Sequence, residues 1–352
     1  MLLTQLSDND LILFVSVLHK FTRWDMVSSK DVAKKAGVSQ STVSRVINNP
    51  ESVSKVKRDK VERVMKELNY IPNSVARSLI SNKTNQISLI SGTLNNPFFV
   101  EATRTIVNAA YKKGFTVNVF FEEDVSKENL YKTVFSQKAE GIILSSMYYE
   151  SQYFDELLKL GIPYMMFNRK HKNGGNFVEI DNYQAGYLGA QYLVSKGHTD
   201  IHFFSGELEK STFLNRYKGF CEALDELNIK YSDSNISITK QKPKLIEQEL
   251  IKVLSFKNKP TAIFAATDMI ALTLIDCLQK MDYRIPEEIA IIGIDNTETL
   301  RHSSLNLTSI GPVEGEHLSS IAVEQLLKMI EEGAENEFQR TIPCKLYERG
   351  TV

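Results

Sequence analysis

The sequence predicts two parts, a small all-α head that contains a helix-turn-helix and a larger α/β body with two doubly wound parallel-sheet lobes. The head is predicted from three short helical patterns within residues 28–69, the first two separated by a glycine. The body is predicted because short apolar runs alternate with helical segments from Gln86 onward, as in repeated βαβ units. A chain of 352 residues is also too long for one compact core.

The overall composition is that of a soluble globular protein, with 42% hydrophobic and 24% charged residues. The 3 cysteines are widely spaced and odd in number, which argues against a disulfide framework or a zinc site and suits a reducing compartment. No apolar run reaches the ~20 residues that a membrane span requires. We therefore expect a cytoplasmic protein that has no membrane contact and needs no cofactor.

Charges are distributed unevenly along the chain, although the net charge is only −1. Residues 26–83 contain 12 Lys and Arg against 5 Asp and Glu, whereas residues 84–352 contain 28 against 35. A basic head on an acidic body is expected when only the head binds a polyanion. The alternative is a solvated, charged helix surface, and charge alone does not decide between the two.

Residues 1–25 are predicted to be an upstream extension. They contain the apolar stretch Leu11–Leu18, but no basic residue precedes it and no small-residue cleavage site follows, unlike a secretory signal. We expect a start site assigned too far upstream, with Met26 as the initiator. The alternative is an additional helix that packs on the head.

The head, residues 26–71, begins with two helices joined by a tight turn. Ser28 or Ser29 can cap the first helix, and Gly37 permits the left-handed conformation that the turn requires. Ser39 can cap the second helix. The apolar residues predicted to point inward from both helices are Val32, Ala33, Ala36, Val43, Val46 and Ile47.

The second helix directs polar side chains toward solvent. These side chains are Gln40, Ser41, Ser44 and Arg45. Amide, hydroxyl and guanidinium groups are the ones that hydrogen-bond base edges in the major groove of DNA. A third helix, from Ser54 to about Asn69, has apolar residues at helical spacing and closes a three-helix core.

Two segments of the head, Asp31–Asn48 and Leu68–Leu79, closely resemble the head of the lactose-repressor (LacI/GalR) family. The resemblance implies a sequence-specific DNA-binding transcriptional regulator, and most often a repressor. It further implies that Gln40, Ser41 and Arg45 contact bases. The residues implied to hold DNA phosphates, which fix register without reading sequence, are Ser28, Ser39, Asn48 and Ser54.

Residues 72–84 are predicted to form a hinge. Pro72 ends the third helix, and the short stretch Ser74–Ile80 is not a stable helix alone in water. The family resemblance implies that Leu79 is an apolar wedge in the minor groove at the centre of a pseudo-palindromic operator, bound by a homodimer. The alternative is an ordinary linker contact. The hinge residues implied in the minor groove are Asn73, Ala76 and Leu79.

The body, residues 85–352, is predicted to contain buried parallel strands connected by helices. Three of these helices end at Gly114, Gly161 and Gly197. The predicted strands are Ile87–Ser91, Val117–Phe121, Gly141–Leu144, Tyr164–Phe167, Ile201–Phe204, Ala262–Ala265 and Ile289–Ile292.

The body also resembles the family and the periplasmic sugar-binding proteins of the same fold. This resemblance implies one lobe from residues 85–180 and 312–340, and a second lobe from residues 181–311 and 341–352. The ligand would lie in the cleft between the lobes, where ligands of doubly wound sheets bind at the carboxyl ends of strands.

Several side chains at the predicted strand ends suit a ligand with vicinal hydroxyls. Guanidinium groups and a carboxylate supply donors and acceptors, and aromatic faces suit the C–H surface of a sugar ring. The family resemblance implies a sugar or sugar-phosphate effector. The candidate effector-binding residues are Phe98, Phe99, Asn168, Arg169, Arg216, Asp268 and Asp295.

The alternatives are a regulator with a protein effector, an enzyme and a secreted binding protein. Global catabolite regulators of the family bind a phosphoprotein instead of a sugar, and this is the second candidate for the effector. An α/β enzyme or a secreted sugar-binding protein ranks lower. The sequence has no phosphate-cradling glycine motif after the first strand, no nucleophile elbow and no metal-ligand cluster, so we expect no enzymatic activity.

Overall fold

The computed structural model describes residues 27–72, 83–122, 126–333 and 337–352. Contacts divide the chain into two units, Met1–Lys83 and Thr84–Val352. The predictions for residues 1–25 and for the hinge residues Asn73, Ala76 and Leu79 lie outside the described residues. None of the described helices is long and apolar enough to cross a membrane.

Three helices form the described part of the first unit. They are α1 (Ser29–Ala36), α2 (Gln40–Asn48) and α3 (Lys55–Glu67). Ser28 caps α1 through a reciprocal capping box with Asp31, which also lowers the pKa of the Asp31 carboxyl. Gly37 ends α1 at φ 61°, so the predicted left-handed turn is present, and Ser39 caps α2.

The helices of this unit enclose a small apolar core. Its centre is Val32 of α1, Val43 of α2 and Val61 of α3, all of which are fully buried. These valines come from the inward positions that helical spacing predicts. Because the three helices share one core, the polar face of α2 is held outward on a packed scaffold.

The second unit contains twelve strands among its described residues. They are β1 (Gln86–Ser91), β2 (Thr116–Phe121), β3 (Gly141–Leu144), β4 (Tyr164–Phe167), β5 (Phe177–Ile180), β6 (Ile201–Ser205), β7 (Ile236–Ile238), β8 (Ala262–Ala265), β9 (Ala290–Ile294), β10 (Thr308–Pro312), β11 (Gln339–Ile342) and β12 (Cys344–Tyr347). They form two six-stranded sheets with the orders β11-β5-β4-β3-β1-β2 and β12-β10-β9-β8-β6-β7.

Both sheets are built from parallel pairs, with one exception. The edge strand β12 is antiparallel to β10. The chain crosses between the sheets after β5, after β10, and between β11 and β12. The sheets therefore belong to two lobes joined by three crossings, and the carboxyl ends of the parallel strands can meet a ligand at the crevice.

Eight helices of the second unit connect or cover these strands within the described residues. They are α4 (Pro97–Lys112), α5 (Lys127–Ser136), α6 (Tyr153–Lys159), α7 (Asn182–Ser195), α8 (Ser211–Glu226), α9 (Pro243–Leu254), α10 (Asp268–Lys280) and α11 (Leu318–Glu332). Helices α4 and α11 pack against each other in the first lobe, and α7 packs against α8 in the second. The strand cores are fully buried, as expected for sheets covered on both faces.

Candidate functional site

The outer face of α2 presents the three predicted base-contacting residues together. Gln40, Ser41 and Arg45 are all exposed on this helix. The Gln40 amide nitrogen donates a hydrogen bond to Ser29 Oγ at 3.0 Å, which leaves the Gln40 amide oxygen directed elsewhere. Arg45 Nε lies 3.4 Å from the Ser41 carbonyl oxygen. The helix therefore offers amide and guanidinium groups on one solvent-facing surface.

The residues predicted to hold phosphates lie at the ends of the head helices. The Ser28 hydroxyl donates to Asp31 at 2.6 Å, and Asn48 donates to Ser44 Oγ at 3.2 Å. The Ser39 hydroxyl caps α2, whereas Ser54 begins α3 without a side-chain capping bond. Helix N-termini with such hydroxyls are suitable for phosphate oxygens.

A cavity of about 280 Å³ lies between the two lobes and is lined by both. Six of the seven predicted effector-binding residues line it. They are Phe98, Phe99, Asn168, Arg169, Arg216 and Asp295. The structure thus brings together side chains that are up to about two hundred positions apart in the sequence.

One wall of the cavity is aromatic. Phe98 stacks on Phe167 with ring centroids 5.4 Å apart, and it meets Phe99 edge to face at 5.3 Å. Gly92 also lines this wall, and a Cβ atom there would collide with the Phe99 ring. The absence of a side chain at Gly92 therefore makes room for Phe99, and apolar ring faces border the cavity.

Arg216 forms the floor of the cavity in the second lobe. Its side chain is fully buried and donates to Asn182 Oδ1 at 2.9 Å, to the Ala266 carbonyl oxygen, and to Asp295 Oδ1 at 3.0 Å. Burial raises the pKa of Asp295, and the Arg216 charge opposes this shift. Since each guanidinium nitrogen has a protein partner, Arg216 also fixes the position of the Asp295 carboxylate.

Asp268 does not belong to the lining, in contrast to the prediction. Its carboxylate is fully buried and accepts bonds from the Thr297 backbone N–H at 2.8 Å and from the Ser309 hydroxyl at 2.6 Å. Burial raises the pKa of Asp268, and these hydrogen bonds oppose the shift. Its neighbours Thr267 and Met269 line the cavity instead. Asp268 thus fastens the loop that carries Asp295.

Asn168 and Arg169 follow β4 and enter the cavity with unsatisfied polar atoms. Arg169 donates to the Asn168 carbonyl oxygen at 2.7 Å and to the Thr212 hydroxyl. Its Nε and the Asn168 Oδ1 are buried, and neither has a hydrogen-bond partner in the described part of the chain. Burial lowers the pKa of Arg169 to about 10, so this side chain remains charged at neutral pH.

A polar cluster at the cavity was missed by the sequence reasoning. Tyr148 donates to Glu207 at 3.2 Å, and Lys127 Nζ lies 3.2 Å from the Tyr148 ring centroid. Lys210 pairs with Glu207 at 3.7 Å, and Glu122 also lines the cavity. Glu122 directly follows β2, and Glu207 lies two residues after the end of β6, so the rule that ligands bind at strand ends could have identified them.

Known proteins similar to this chain support a family assignment. The HTH-type transcriptional repressor PurR of Serratia proteamaculans is 33% identical over 337 residues, which cover 93% of this chain and 97% of that protein. The family pattern described as "Bacterial regulatory proteins, lacI family" matches residues 29–73, and "Periplasmic binding protein-like domain" matches residues 190–352. The chain belongs to the LacI family.

Solved structures of LacI-family members share this fold. The lac repressor dimer bound to operator and the anti-inducer ONPF is 26% identical with a TM-score of 0.79, covering 92% of this chain and 98% of that chain. A LacI family regulator from Enterococcus faecium with bound ribose is 25% identical with a TM-score of 0.66, covering 76% and 98%. These similarities confirm the predicted family, the helix-turn-helix head and the periplasmic-binding-protein-like body. This LacI-family chain is a transcriptional regulator with a DNA-binding head and an effector-binding body.

Proposed function

We propose that this regulator is a homodimeric repressor that binds a pseudo-palindromic operator through α2. Its affinity for the operator falls or rises when a sugar or sugar phosphate occupies the interlobe cavity. The observation that carries the proposal is the cavity itself. Its walls come from both lobes, so a bound ligand contacts both and changes the free energy of their relative arrangement.

Unpartnered polar atoms in the cavity support a hydroxylated ligand. Ser146 Oγ, Asn168 Oδ1 and Arg169 Nε are buried without a hydrogen-bond partner among the described residues. Leaving such an atom unsatisfied costs about 1–3 kcal/mol. Ligand hydroxyls would supply the missing partners, while Phe98 and Phe99 would cover an apolar ring face. This combination favours a sugar over a purely apolar molecule.

Relatives support the proposed DNA site and assembly. The lac repressor structure contains a dimer bound to operator, and the Serratia protein is described as a repressor. A two-fold dimer presents two copies of α2 and therefore requires two half-sites related by symmetry. We extend this arrangement to the present chain, with Gln40, Ser41 and Arg45 as the base contacts. The hinge residues Asn73, Ala76 and Leu79 remain the proposed minor-groove contacts.

The same proposal places the protein in the cytoplasm and assigns it no reaction. The similar proteins are transcriptional repressors, and DNA control requires access to the chromosome. In the described ranges, no group of three or more His, Cys, Asp or Glu side chains is placed to hold a metal ion. We assign the polar groups of the cavity to ligand recognition, because the similar proteins are transcriptional repressors.

Selection from a random DNA library tests the DNA-binding part. The full chain should enrich a pseudo-palindromic sequence, and Arg45→Ala should weaken binding because it removes a base contact, at a cost of about 1–3 kcal/mol. Lys112→Ala, an exposed lysine of α4 in the other unit, is the matched control and should bind normally. Enrichment of an asymmetric site, or of none, would contradict the proposal.

A further inference from the structure

The lining of the cavity carries an excess of positive charge. Its described residues include six Lys and Arg but three Asp and Glu. The cations are Lys127, Arg169, Lys210, Arg216, Lys240 and Lys242, and the anions are Glu122, Glu207 and Asp295. Two of the carboxylates are already paired, Asp295 with Arg216 and Glu207 with Lys210.

Arg169 is a buried cation of the lining that makes no ion pair with a described carboxylate. It is 5% exposed, and no described carboxylate lies within 4.0 Å of its guanidinium group. Its hydrogen-bond acceptors are the neutral Asn168 carbonyl and Thr212 hydroxyl, and Nε has none in the described structure. Glu122, Asp295 and Glu179 act on the Arg169 charge from a distance, but none of them pairs with it. A buried charge without a direct ion-pair partner is costly, so this position favours an anion.

The helix that starts beside Arg169 adds to the positive potential. Helix α8 has 16 residues, Lys210 is its N-cap residue, and that side chain makes no capping bond. Thr212 of its first turn lines the cavity and contacts Arg169. Backbone N–H groups at a helix N-terminus and the helix dipole both favour negative charge. The unpartnered, buried Arg169 Nε shows that the pocket in front of this helix still needs an acceptor.

Glu122 and Ser146 indicate that the ligand is not a simple ion. Glu122 has a buried carboxylate oxygen without a partner, and Ser146 has a buried hydroxyl without one. Burial raises the pKa of Glu122, and the charges of Lys210, Lys127 and Arg169 oppose this shift. The unpartnered carboxylate oxygen can accept a hydrogen bond from a ligand hydroxyl. Together with the Phe98 and Phe99 rings, these atoms favour a ligand that carries several hydroxyl groups on a ring beside its anionic group.

We propose that the effector is an anionic sugar, a monosaccharide that carries a phosphate or carboxylate, with its anionic group between Arg169 and the N-terminus of α8. The proposal rests on the proposed function, since it assumes that this cavity is the effector site. The cavity volume of about 280 Å³ suits one sugar ring, because pockets for larger ligands reach ~1,000 Å³. A neutral sugar would provide hydrogen bonds for Glu122 and Ser146 but would leave Arg169 without a direct ion-pair partner.

Calorimetric titration of the full chain with matched compounds tests the charge preference. The probes are neutral hexoses, the same hexoses with a phosphate at carbon 6, the corresponding hexuronates, and inorganic phosphate. At least one phosphorylated or carboxylated sugar should bind about tenfold or more tightly than its neutral parent. Comparison of the sugar phosphates with the hexuronates shows whether the site prefers a phosphate or a carboxylate. Inorganic phosphate alone should bind more weakly than the anionic sugar.

Variants assign that preference to the named residues. Arg169→Gln should reduce the ratio of the affinity for the anionic sugar to that for the neutral sugar by about tenfold. Lys210→Gln should have the same effect, and it provides the test if Arg169→Gln does not fold. Arg284→Gln, an exposed arginine outside the cavity, should leave the ratio unchanged.

The possible failures are distinguishable. Equal or tighter binding of a neutral sugar would overturn the anionic-sugar inference alone. A preference that persists in both Arg169→Gln and Lys210→Gln would also overturn it. Failure of every sugar in the panel to bind would overturn the inference and the proposed sugar effector together, while leaving the operator selection unaffected.

Discussion

Gly186 of α7 packs directly on the backbone of Arg216 in α8, with no space for a Cβ atom between them. Gly219 of α8 likewise faces the Tyr183 carbonyl oxygen of α7. The two helices are therefore in backbone contact. This contact brings the Arg216 side chain to Asn182 at the start of α7 and holds it at the cavity floor. Two glycines that do not line the cavity thus set the geometry of the proposed effector site.

Gly219→Ala should therefore destabilise the body. At a solvent-exposed helix position, a change from Gly to Ala raises the free energy of unfolding by about 1 kcal/mol. Here the added methyl group collides with the backbone of α7, so the free energy of unfolding should fall by about 1–3 kcal/mol. Urea unfolding of the full chain measures the difference in the free energy of unfolding. Lys218→Ala, at the exposed neighbouring position of α8, should be close to neutral. Equal stability of Gly219→Ala and wild type would show that the helices separate easily.

Arg216→Met should be strongly destabilising and should abolish the effector response. It leaves the buried Asp295 carboxylate without its charged partner, which costs about 3–5 kcal/mol. The double variant Arg216→Met, Asp295→Asn removes both charges and should recover part of the stability but none of the response. Unfolding curves and operator titrations with effector measure the two properties. A normal effector response in Arg216→Met would remove Arg216 from the proposed site.

Ser29→Ala should relax base preference without abolishing DNA binding. Ser29 Oγ accepts from the Gln40 amide and so orients the amide group that we propose reads a base. Without this contact the Gln40 side chain rotates freely, and discrimination at one position of each half-site should fall by up to about 1–3 kcal/mol. Competition binding with single-base operator variants measures this. Ser52→Ala, on the turn after α2, is the control, and identical preferences in both variants would contradict the orienting role.

The stability of the body should decrease in mild acid because of His202. This side chain is buried, its Nε2 lies 2.7 Å from Ser237 Oγ, and burial lowers its pKa to about 4. The unfolded chain, with a histidine pKa of about 6.5, takes up the proton first, so stability is lost as pH falls from about 6.5 to 4. Each unit of pKa difference between the folded and unfolded states corresponds to ~1.4 kcal/mol. His202 should therefore lower the free energy of unfolding by on the order of 3 kcal/mol over this pH range.

Denaturant unfolding from pH 7.5 to 4.5 measures the effect of His202. His202→Gln can keep a hydrogen bond to Ser237 but cannot titrate, so its free energy of unfolding should vary less with pH than that of wild type. His302→Gln, an exposed histidine of the same lobe, should follow wild type. A pH dependence that is unchanged in His202→Gln would assign the acid sensitivity to other groups.

The apolar pattern predicted seven of the twelve described strands and missed internal strands as well as edge strands. The seven predicted strands are all present, because buried parallel strands are continuous apolar runs. The edge strands β7 and β11 were missed because one has three residues and the other begins with the exposed Gln339, Arg340 and Thr341. The strand β5 was missed because it contains Glu179, a buried acid that pairs with Lys170 at 2.7 Å. The ion pair that compensates the buried carboxylate can be seen only in the three-dimensional structure.

The candidate site was partly predictable for a similar reason. Asn168, Arg169 and Asp295, which were proposed from their positions at strand ends, line the cavity. Position does not give the direction of a side chain, and Asp268 instead binds Thr297 and Ser309. In the polar cluster, the positions of Glu122 and Glu207 near strand ends could have been used, but no local pattern shows that Lys127 and Lys210 meet at the same cavity.

The most direct test of the account is the operator affinity of the full chain with and without the cavity ligand, measured by fluorescence anisotropy on the selected operator. Allosteric coupling of about 1–3 kcal/mol predicts a change of roughly 5- to 150-fold at saturating ligand. In Arg169→Gln the ligand concentration that gives half of this change should rise by about tenfold. An operator affinity that is identical with and without a ligand shown to bind the cavity would contradict the central claim.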